Sequence, residues 1–291
     1  MNIKIKGNSG CCVEVIWLNG KYAARKTISD NDYIPRLRKQ KEKQELFYQR
    51  NTFDYLIIPK VLGEYHDGST YGFCMDYYNC NDYITHLQLS SKREIDLTLS
   101  RIISFIENSI SSSTIASVKK EFFLNKYENI RRNIMLNPLL PEIDNEFIGR
   151  LDKAVLSIRE NIELPLGPCH GDLTFSNMLF SGESLVLIDF LDNFIETPLQ
   201  DIVKIRQDAC YNWSLNLFQS DYDRTKILII MKYIDDAVHA YFMRYKFYAE
   251  HYSLLQFFNF LRIIPYSKTP LITQYLKDTM LKIISACSLD L

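Results

Sequence analysis

The stretch Cys169-His-Gly-Asp-Leu-Thr-Phe-Ser-Asn177, followed by Leu185-Val-Leu-Ile-Asp-Phe190, carries the most information about the fold. A Ser-Gly-Glu turn at 181–183 separates the two segments and predicts a short hairpin. Asp172 and Asn177 stand five residues apart in a loop, and Asp189 ends an apolar strand twelve residues later. Because an aspartate at the end of a buried strand has no packing role, we expect a functional site at this hairpin.

These three polar side chains suit the transfer of a phosphoryl group, which needs little covalent help and much positioning of charge. Asp172 is the candidate base that accepts the proton of an attacking hydroxyl. The Asn177 amide and the Asp189 carboxylate supply the hard oxygen atoms that Mg²⁺ prefers. Two alternatives are that Asp172 and Asn177 cap a helix or turn, and that His170 and Asp172 bind zinc. The zinc alternative lacks a third ligand at a suitable spacing.

The rest of the chain divides into a β-rich first part and a mainly helical second part. Residues 2–6, 11–18 and 21–28 predict a three-stranded antiparallel meander, with the hairpin turn Asn19-Gly20 before the third strand. A charged helix is expected at 32–50, and further strands near 59–62 and 71–77. Later helices are expected at 92–110, 116–136, 144–160, 199–218, 223–250, 252–264 and 270–287. We therefore predict an α+β fold with two lobes, residues 1–78 and 79–291, and a ligand site between them.

The composition is that of an ordinary globular protein, with 291 residues, 47% hydrophobic residues and a net charge of −1. This balance argues against nucleic acid as a partner. The seven cysteines include no C-x-x-C pair, which favours reduced thiols and a cytoplasmic location. The apolar runs are too short to predict a membrane span.

The motif His170-Gly-Asp172 with Asn177, followed by Ile188-Asp-Phe190, resembles the aminoglycoside phosphotransferase and choline kinase families. This resemblance implies a bilobal protein-kinase-like fold, with a small antiparallel β lobe carrying one helix and a large, mainly helical lobe. It implies ATP and Mg²⁺ as cofactors and a small-molecule acceptor. The segment Pro198-Leu-Gln-Asp201 resembles a family motif that braces the catalytic loop. Leu191 stands where protein kinases have glycine, which favours a small-molecule kinase.

The resemblance also assigns a phosphate-binding lysine. Lys26, near the end of the third strand, is the first candidate, with Arg25 and Lys21 as weaker ones. An acidic residue on the following helix would pair with this lysine. Glu42 is the first candidate for that role and Glu45 the second.

Two further segments correspond to nucleotide-binding elements of the family. Gly7 and Gly10 bound a turn where a loop that covers the phosphates belongs, although the full glycine-rich motif is missing. The backbone from Met75 to Tyr77 corresponds to the hinge that binds adenine.

The phosphate acceptor is left open by these motifs. Candidate substrate residues are Asp192, Arg206, Tyr211 and Arg262. An aminoglycoside would favour more carboxylates, and choline or ethanolamine would favour an aromatic cage with a carboxylate. The segment Phe260-Leu-Arg-Ile-Ile-Pro-Tyr266 resembles phosphotransferase-like proteins associated with bacterial surface polysaccharides, which favours a sugar or polyol hydroxyl. An atypical protein kinase and a non-catalytic nucleotide-binding module are the other hypotheses.

Overall fold

The computed structural model describes residues 4–6, 10–137, 140, 143–218 and 221–286. Its strands are β1 (Lys4–Lys6), β2 (Cys12–Leu18), β3 (Lys21–Ile28), β4 (Leu56–Ile57), β5 (Val61–Asp67), β6 (Thr70–Asp76), β7 (Thr114–Lys119), β8 (Asn161–Leu166), β9 (Met178–Ser181) and β10 (Ser184–Leu187). Its helices are α1 (Ile34–Arg50), α2 (Tyr83–Leu89), α3 (Lys92–Ser111), α4 (Lys120–Met135), α5 (Asn145–Leu156), α6 (Pro198–Ala209), α7 (Trp213–Leu217), α8 (Arg224–Phe242), α9 (Lys246–Leu261) and α10 (Pro270–Ala286).

The first sheet is antiparallel and has the strand order β1-β2-β3-β6-β5. Strands β2 and β3 join at Asn19 and Gly20, both of which have positive φ angles, as a tight hairpin turn requires. Helix α1 buries Leu37, Gln40 and Gln44, and Leu37 packs in the apolar cluster that lies on this sheet. The antiparallel first sheet with its helix confirms the predicted α+β fold class.

A smaller sheet, with the order β4-β10-β9, holds the predicted catalytic hairpin. Strand β10 pairs antiparallel with β9 and parallel with β4. Its residues Leu185, Val186 and Leu187 are buried, as the apolar run predicted. The hairpin is therefore a fixed support for the residues at its end.

Several elements differ from the sequence prediction, among them the helix expected at 199–218, which is divided into α6 and α7. Residues 114–119 form strand β7, where we expected a helix to begin at 116. Strand β7 pairs with β8, which lies more than forty residues later in the chain. A local sequence pattern does not reveal such a pairing. The break between α8 and α9 lies at 243–245, whereas residue 251, where we expected it, lies within α9.

The chain forms two compact units, each assembled from segments that are separate in sequence. One comprises Met1–Phe105, His170–Asn193 and Leu217–Ile230, and the other comprises Ile106–Cys169, Phe194–Asn216 and Met231–Leu291. The hairpin of β9 and β10 belongs to the first unit, together with the five-stranded sheet. The predicted lobe boundary at residue 78 stays a prediction.

The second unit is mainly helical and is built around α6, all twelve residues of which are buried. Thr197 caps this helix by accepting a hydrogen bond from the Leu199 amide. In the described part of the chain, each helix is too short or too polar to span a bilayer.

Candidate active site

The β9–β10 hairpin brings Asn177 and Asp189 to the same end of the small sheet. Asn177 directly precedes β9, and Asp189 follows β10 by two residues. The register pairs Leu187 with Met178, and the Ile188 amide donates a hydrogen bond to the Asn177 carbonyl oxygen at 3.1 Å. Two residues that are separate in sequence are thereby adjacent in space.

Asn177 also holds Asp172. Its amide nitrogen donates to the Asp172 backbone oxygen at 2.8 Å and to Asp172 Oδ2 at 2.9 Å. Because the nitrogen makes both bonds, the oxygen of the Asn177 amide is the atom that remains for a cation. One side chain therefore orients the candidate base and also presents a candidate metal ligand.

Lys26 reaches Asp189 from strand β3. Its ammonium lies 3.0 Å from Asp189 Oδ1, and the lysine side chain is 4% exposed while that of Asp189 is 37% exposed. Burial by itself lowers the pKa of Lys26, but the charge and hydrogen bond of Asp189 outweigh it, so that the pKa is raised. Lys26 is therefore a charged group beside the candidate metal ligand.

The backbone of Asp189 adopts a left-handed conformation, with a φ angle of 61°. Few residues other than glycine adopt this region, and such strain often accompanies functional sites. The conformation places the carboxylate next to Lys26 directly after the strand.

His170 has a structural role in the loop that carries Asp172. It is fully buried, and burial lowers its pKa to about 4. The neutral ring donates from Nε2 to the Ile188 carbonyl oxygen at 2.9 Å, and Nδ1 accepts from the Asp172 amide at 3.2 Å. Phe190 lies against the imidazole, with ring centroids 4.2 Å apart. The ring thus joins the Asp172 loop to the Asp189 strand.

Gly171 is required by the close approach of two backbone segments. Its φ angle is +89°, and an added Cβ would clash with the Leu191 carbonyl oxygen. The Leu191 amide donates to the His170 oxygen at 3.0 Å, and Asn193 Nδ2 donates to the Gly171 oxygen at 2.9 Å. Asn193 was not predicted, because no motif from the sequence includes it.

The predicted ion pair between Lys26 and Glu42 is wrong. Gln40 occupies that place, with Oε1 at 3.0 Å from the Lys26 ammonium. Glu42 is exposed, because a two-residue step along a helix turns a side chain by about 200°. Glu45, the second candidate, contacts Lys41 at 3.5 Å instead.

Helix α1 also contacts the segment that follows Asp189. Lys43 donates to the Leu191 carbonyl oxygen at 2.6 Å. Arg36 and Lys39 lie 3.7 and 3.8 Å from the carboxylate of Asp192. The predicted substrate residue Asp192 is therefore partly neutralised by two cations of the helix.

The other predicted nucleotide contacts have different outcomes. Met75 lies within β6, paired with Ala24 on one side and Val61 on the other, and this disfavours its backbone as an adenine contact. Tyr77 follows the end of β6 and stays a prediction. Gly10 has a φ angle of +80° before β2, and Gly7 lies outside the described residues.

Three predicted substrate residues belong to the second unit. Arg206 is buried and forms a bidentate ion pair with Asp235, whose hydrogen bond raises the pKa of Arg206 although burial by itself lowers it. Its substrate role is corrected to a structural one, because these partners occupy the guanidinium. Tyr211 packs edge-on against Phe260 at 5.0 Å, and Arg262 lies 3.4 Å from Asn259. The substrate roles of Tyr211 and Arg262 stay predictions.

The donor set fits the cofactors that the sequence implied. One carboxylate and one amide oxygen suit Mg²⁺, which usually takes few protein ligands and completes its shell with phosphates and water. In the described part of the chain, no group of three or more His, Cys, Asp or Glu forms a closed metal cage. Asn177 and Asp189 thus offer two oxygen ligands, which fits a cation that takes its remaining ligands from phosphate and water.

The antiparallel sheet, helix α1 and the loop-and-hairpin site form the protein-kinase-like fold that the sequence predicted. Residues 119–242, which include the loop and the hairpin, match the model of the Phosphotransferase enzyme family. This match confirms the predicted resemblance and the predicted enzyme class, a phosphotransferase. No curated protein sequence matches the chain.

Solved structures give the same fold at low sequence identity. A thermostable mutant of aminoglycoside phosphotransferase APH(4)-Ia, in a ternary complex with AMP-PNP and hygromycin B, has a TM-score of 0.62 at 12% identity, covering 98% of this chain and 94% of that chain. The gentamicin complex of APH(2")-IIa has a TM-score of 0.55 at 16% identity, with coverages of 98% and 90%. ADP-bound APH(2'')-Ib has a TM-score of 0.55 at 15% identity, with coverages of 97% and 92%.

Proposed function

We propose that this protein transfers the γ-phosphoryl group of ATP, with Mg²⁺, to a hydroxyl group of a small molecule. The observation that carries the proposal is the arrangement of Asp172, Asn177, Asp189 and Lys26 around one end of a rigid hairpin. The phosphotransferase family match supports it, as do fold relatives whose complexes contain ATP analogues or ADP. A cytoplasmic location stays a prediction from the cysteine content.

In the proposed reaction, the oxygen of the acceptor hydroxyl forms a bond to the γ-phosphorus. Asp172 accepts the proton that this hydroxyl loses. The bond between that phosphorus and the bridging oxygen of ADP breaks, and ADP leaves. Asn177 and Asp189 would hold Mg²⁺, which would offset the negative charge that develops on the phosphate oxygens. Asn177 keeps the Asp172 carboxylate oriented, and Lys26 supplies a buried positive charge for the phosphates.

We propose a sugar or polyol as the acceptor, of the kind used in surface polysaccharide metabolism. Aminoglycosides are polycations and need uncompensated carboxylates. Asp192 is the acidic residue nearest to Asp189 in sequence, and Arg36 and Lys39 both approach it within 4 Å. This local charge disfavours a polycation and is compatible with a neutral acceptor. The resemblance of residues 260–266 to polysaccharide-associated proteins points the same way.

The substitution Asp172→Asn tests the proposed reaction. It removes the proton acceptor and keeps the shape of the side chain. Turnover is expected to fall by about 10²- to 10⁴-fold, while nucleotide binding is retained. ATP consumption would be measured against a panel of sugars, polyols, choline, ethanolamine, aminoglycosides and a generic protein, and ATP binding by calorimetry.

Asp54→Asn is the matched control, because Asp54 is an exposed aspartate of the same unit. It is expected to leave turnover unchanged. Equal turnover of Asp172→Asn and the native protein would contradict the role of Asp172. ATP binding without ATP consumption on any acceptor would favour a non-catalytic nucleotide-binding module. ATP consumption with the generic protein as the only active acceptor would favour an atypical protein kinase.

A further inference from the structure

Gln40 gives the Lys26 site an unusual charge balance. The Lys26 ammonium contacts two side chains, the Gln40 amide and the Asp189 carboxylate, each at 3.0 Å. Lys26 and Gln40 are 3% and 2% exposed. Among the residues that the structure describes, Asp189 is thus the one carboxylate that touches Lys26.

The orientation of the Gln40 amide is fixed by a second hydrogen bond. Its Nε2 donates to the hydroxyl oxygen of Tyr33 at 3.2 Å, so that Oε1 faces Lys26. Gln40 shares its buried helix face with Leu37 and Gln44, which fixes its position along the helix. The amide is therefore a well-placed but uncharged acceptor.

This arrangement makes two ligands compete for Asp189. The carboxylate is the candidate cation ligand and also the counter-ion of Lys26. A cation that draws Asp189 away leaves a buried ammonium with only a neutral amide, and an uncompensated buried charge is strongly unfavourable. The phosphates of a nucleotide offer Lys26 a replacement counter-ion.

We propose that Gln40 makes cation binding at Asp189 conditional on a bound nucleotide. This inference rests on the proposed function, since it uses Asp189 as the cation ligand and Lys26 as the phosphate contact. Without nucleotide, Lys26 holds Asp189 and the cation binds weakly. With nucleotide, Lys26 turns to the phosphates and Asp189 is released to the cation. Gln40 acts as a positioning residue, because it holds Lys26 without offering it a second negative charge.

The substitution Gln40→Glu tests this directly. A carboxylate at residue 40 keeps Lys26 paired when Asp189 binds the cation. The affinity for Mn²⁺ alone is expected to rise by about tenfold, and the affinity for metal-free ADP is expected to fall, because the new charge repels the phosphates. Mn²⁺ binding would be followed by electron paramagnetic resonance, and metal-free ADP binding by calorimetry in the presence of a chelator.

Gln49→Glu is the matched control, because it adds the same charge to an exposed position of α1. It is expected to leave both affinities unchanged. Equal effects of Gln40→Glu and Gln49→Glu would overturn the inference, as would a Gln40→Glu protein that binds Mn²⁺ alone no better than the native one.

A second variant covers the case in which Gln40→Glu does not fold. Lys26→Met removes the competitor for Asp189, and its affinity for Mn²⁺ alone is also expected to rise by about tenfold. An unchanged or lower affinity in Lys26→Met would overturn the inference.

Asp189→Asn separates this inference from the proposed function. If Asp189→Asn retains native binding of Mn²⁺ with ADP, Asp189 is not the cation ligand and the proposed function fails with the inference. If Asp189→Asn loses this binding while Gln40→Glu and Lys26→Met bind Mn²⁺ alone as the native protein does, the inference alone fails.

Discussion

Two of the buried cations of the protein, Lys26 and Arg206, are held in very different ways. Arg206 donates to both oxygens of Asp235 at 2.6 and 3.1 Å, to the Tyr248 hydroxyl at 2.8 Å and to His239 Nδ1 at 3.1 Å. Its guanidinium also lies 4.5 Å from the ring centroid of Tyr252.

Lys26 has fewer contacts, one with an amide and one with a carboxylate. The side chain of Asp235 is 8% exposed, whereas that of Asp189 is 37% exposed. A cation whose counter-ion is buried stabilises the fold, and a cation whose counter-ion is accessible can exchange it for a ligand. Burial of a charge alone therefore does not separate a structural site from a functional one.

The largest effect is expected from removing the cation of the Arg206 cluster, which comprises Arg206, Asp235, His239, Tyr248 and Tyr252. Arg206→Met leaves Asp235 buried without its counter-ion, which should lower the free energy of unfolding by about 3–5 kcal/mol. Urea denaturation measures this value. Arg150→Met is the control, since Arg150 forms an exposed pair with Glu146 and is expected to change stability by less than about 1 kcal/mol. Similar losses in the two variants would remove the distinction between the clusters.

The corresponding change at the other cation should affect catalysis and not stability. Lys26→Met removes a charge that stabilises the transferred phosphoryl group, so turnover should fall by about 10²- to 10³-fold. Asp189 is left without Lys26 but is accessible to water, so the midpoint of urea unfolding should change little. A large loss of stability with normal turnover would instead assign Lys26 a structural role, like that of Arg206.

Acid should weaken the catalytic loop through His170. The pKa of His170 is lowered from 6.5 to about 4, so the unfolded chain binds the proton first and stability falls as the pH drops from 6.5 to 4. Linkage gives a loss of about 3 kcal/mol over this window. Urea unfolding at several pH values should show a shallower slope for His170→Gln than for the native protein. His66→Gln, which changes an exposed histidine, should keep the native slope.

The smallest effect is expected from removing one hydrogen bond of the Arg206 cluster. Tyr248→Phe removes the hydroxyl that Arg206 and His239 share, and the expected cost is about 1 kcal/mol. Turnover should stay at the native level. A drop in turnover without a drop in stability would assign the Arg206 cluster to the functional site.

The sequence predicted the parts of the site that local patterns determine. The turn at 181–183, the apolar run before Asp189 and the spacing to Asn177 required no knowledge of distant contacts. The hairpin turn at Asn19 and Gly20 placed Lys26 on β3 in the same way. Each of these features is set by neighbours within a few residues.

The sequence did not predict features that depend on which helix face meets the sheet. Glu42 and Glu45 were the predicted partners of Lys26, because the family resemblance implies an acidic residue there, and Gln40 was not considered. Packing decided the outcome, because Leu37 and Gln40 share the buried face. Arg206 was predicted to be a substrate residue. Its ion pair with Asp235 could not be foreseen, because Asp235 lies on a different helix, 29 residues later.

The left-handed backbone of Asp189 decides which replacements at this position give interpretable results. Asparagine tolerates positive φ well, whereas alanine is strained there. Asp189→Asn therefore reports on the lost charge alone. An alanine variant would combine that loss with a distortion of the loop, and its kinetics would overstate the contribution of the carboxylate.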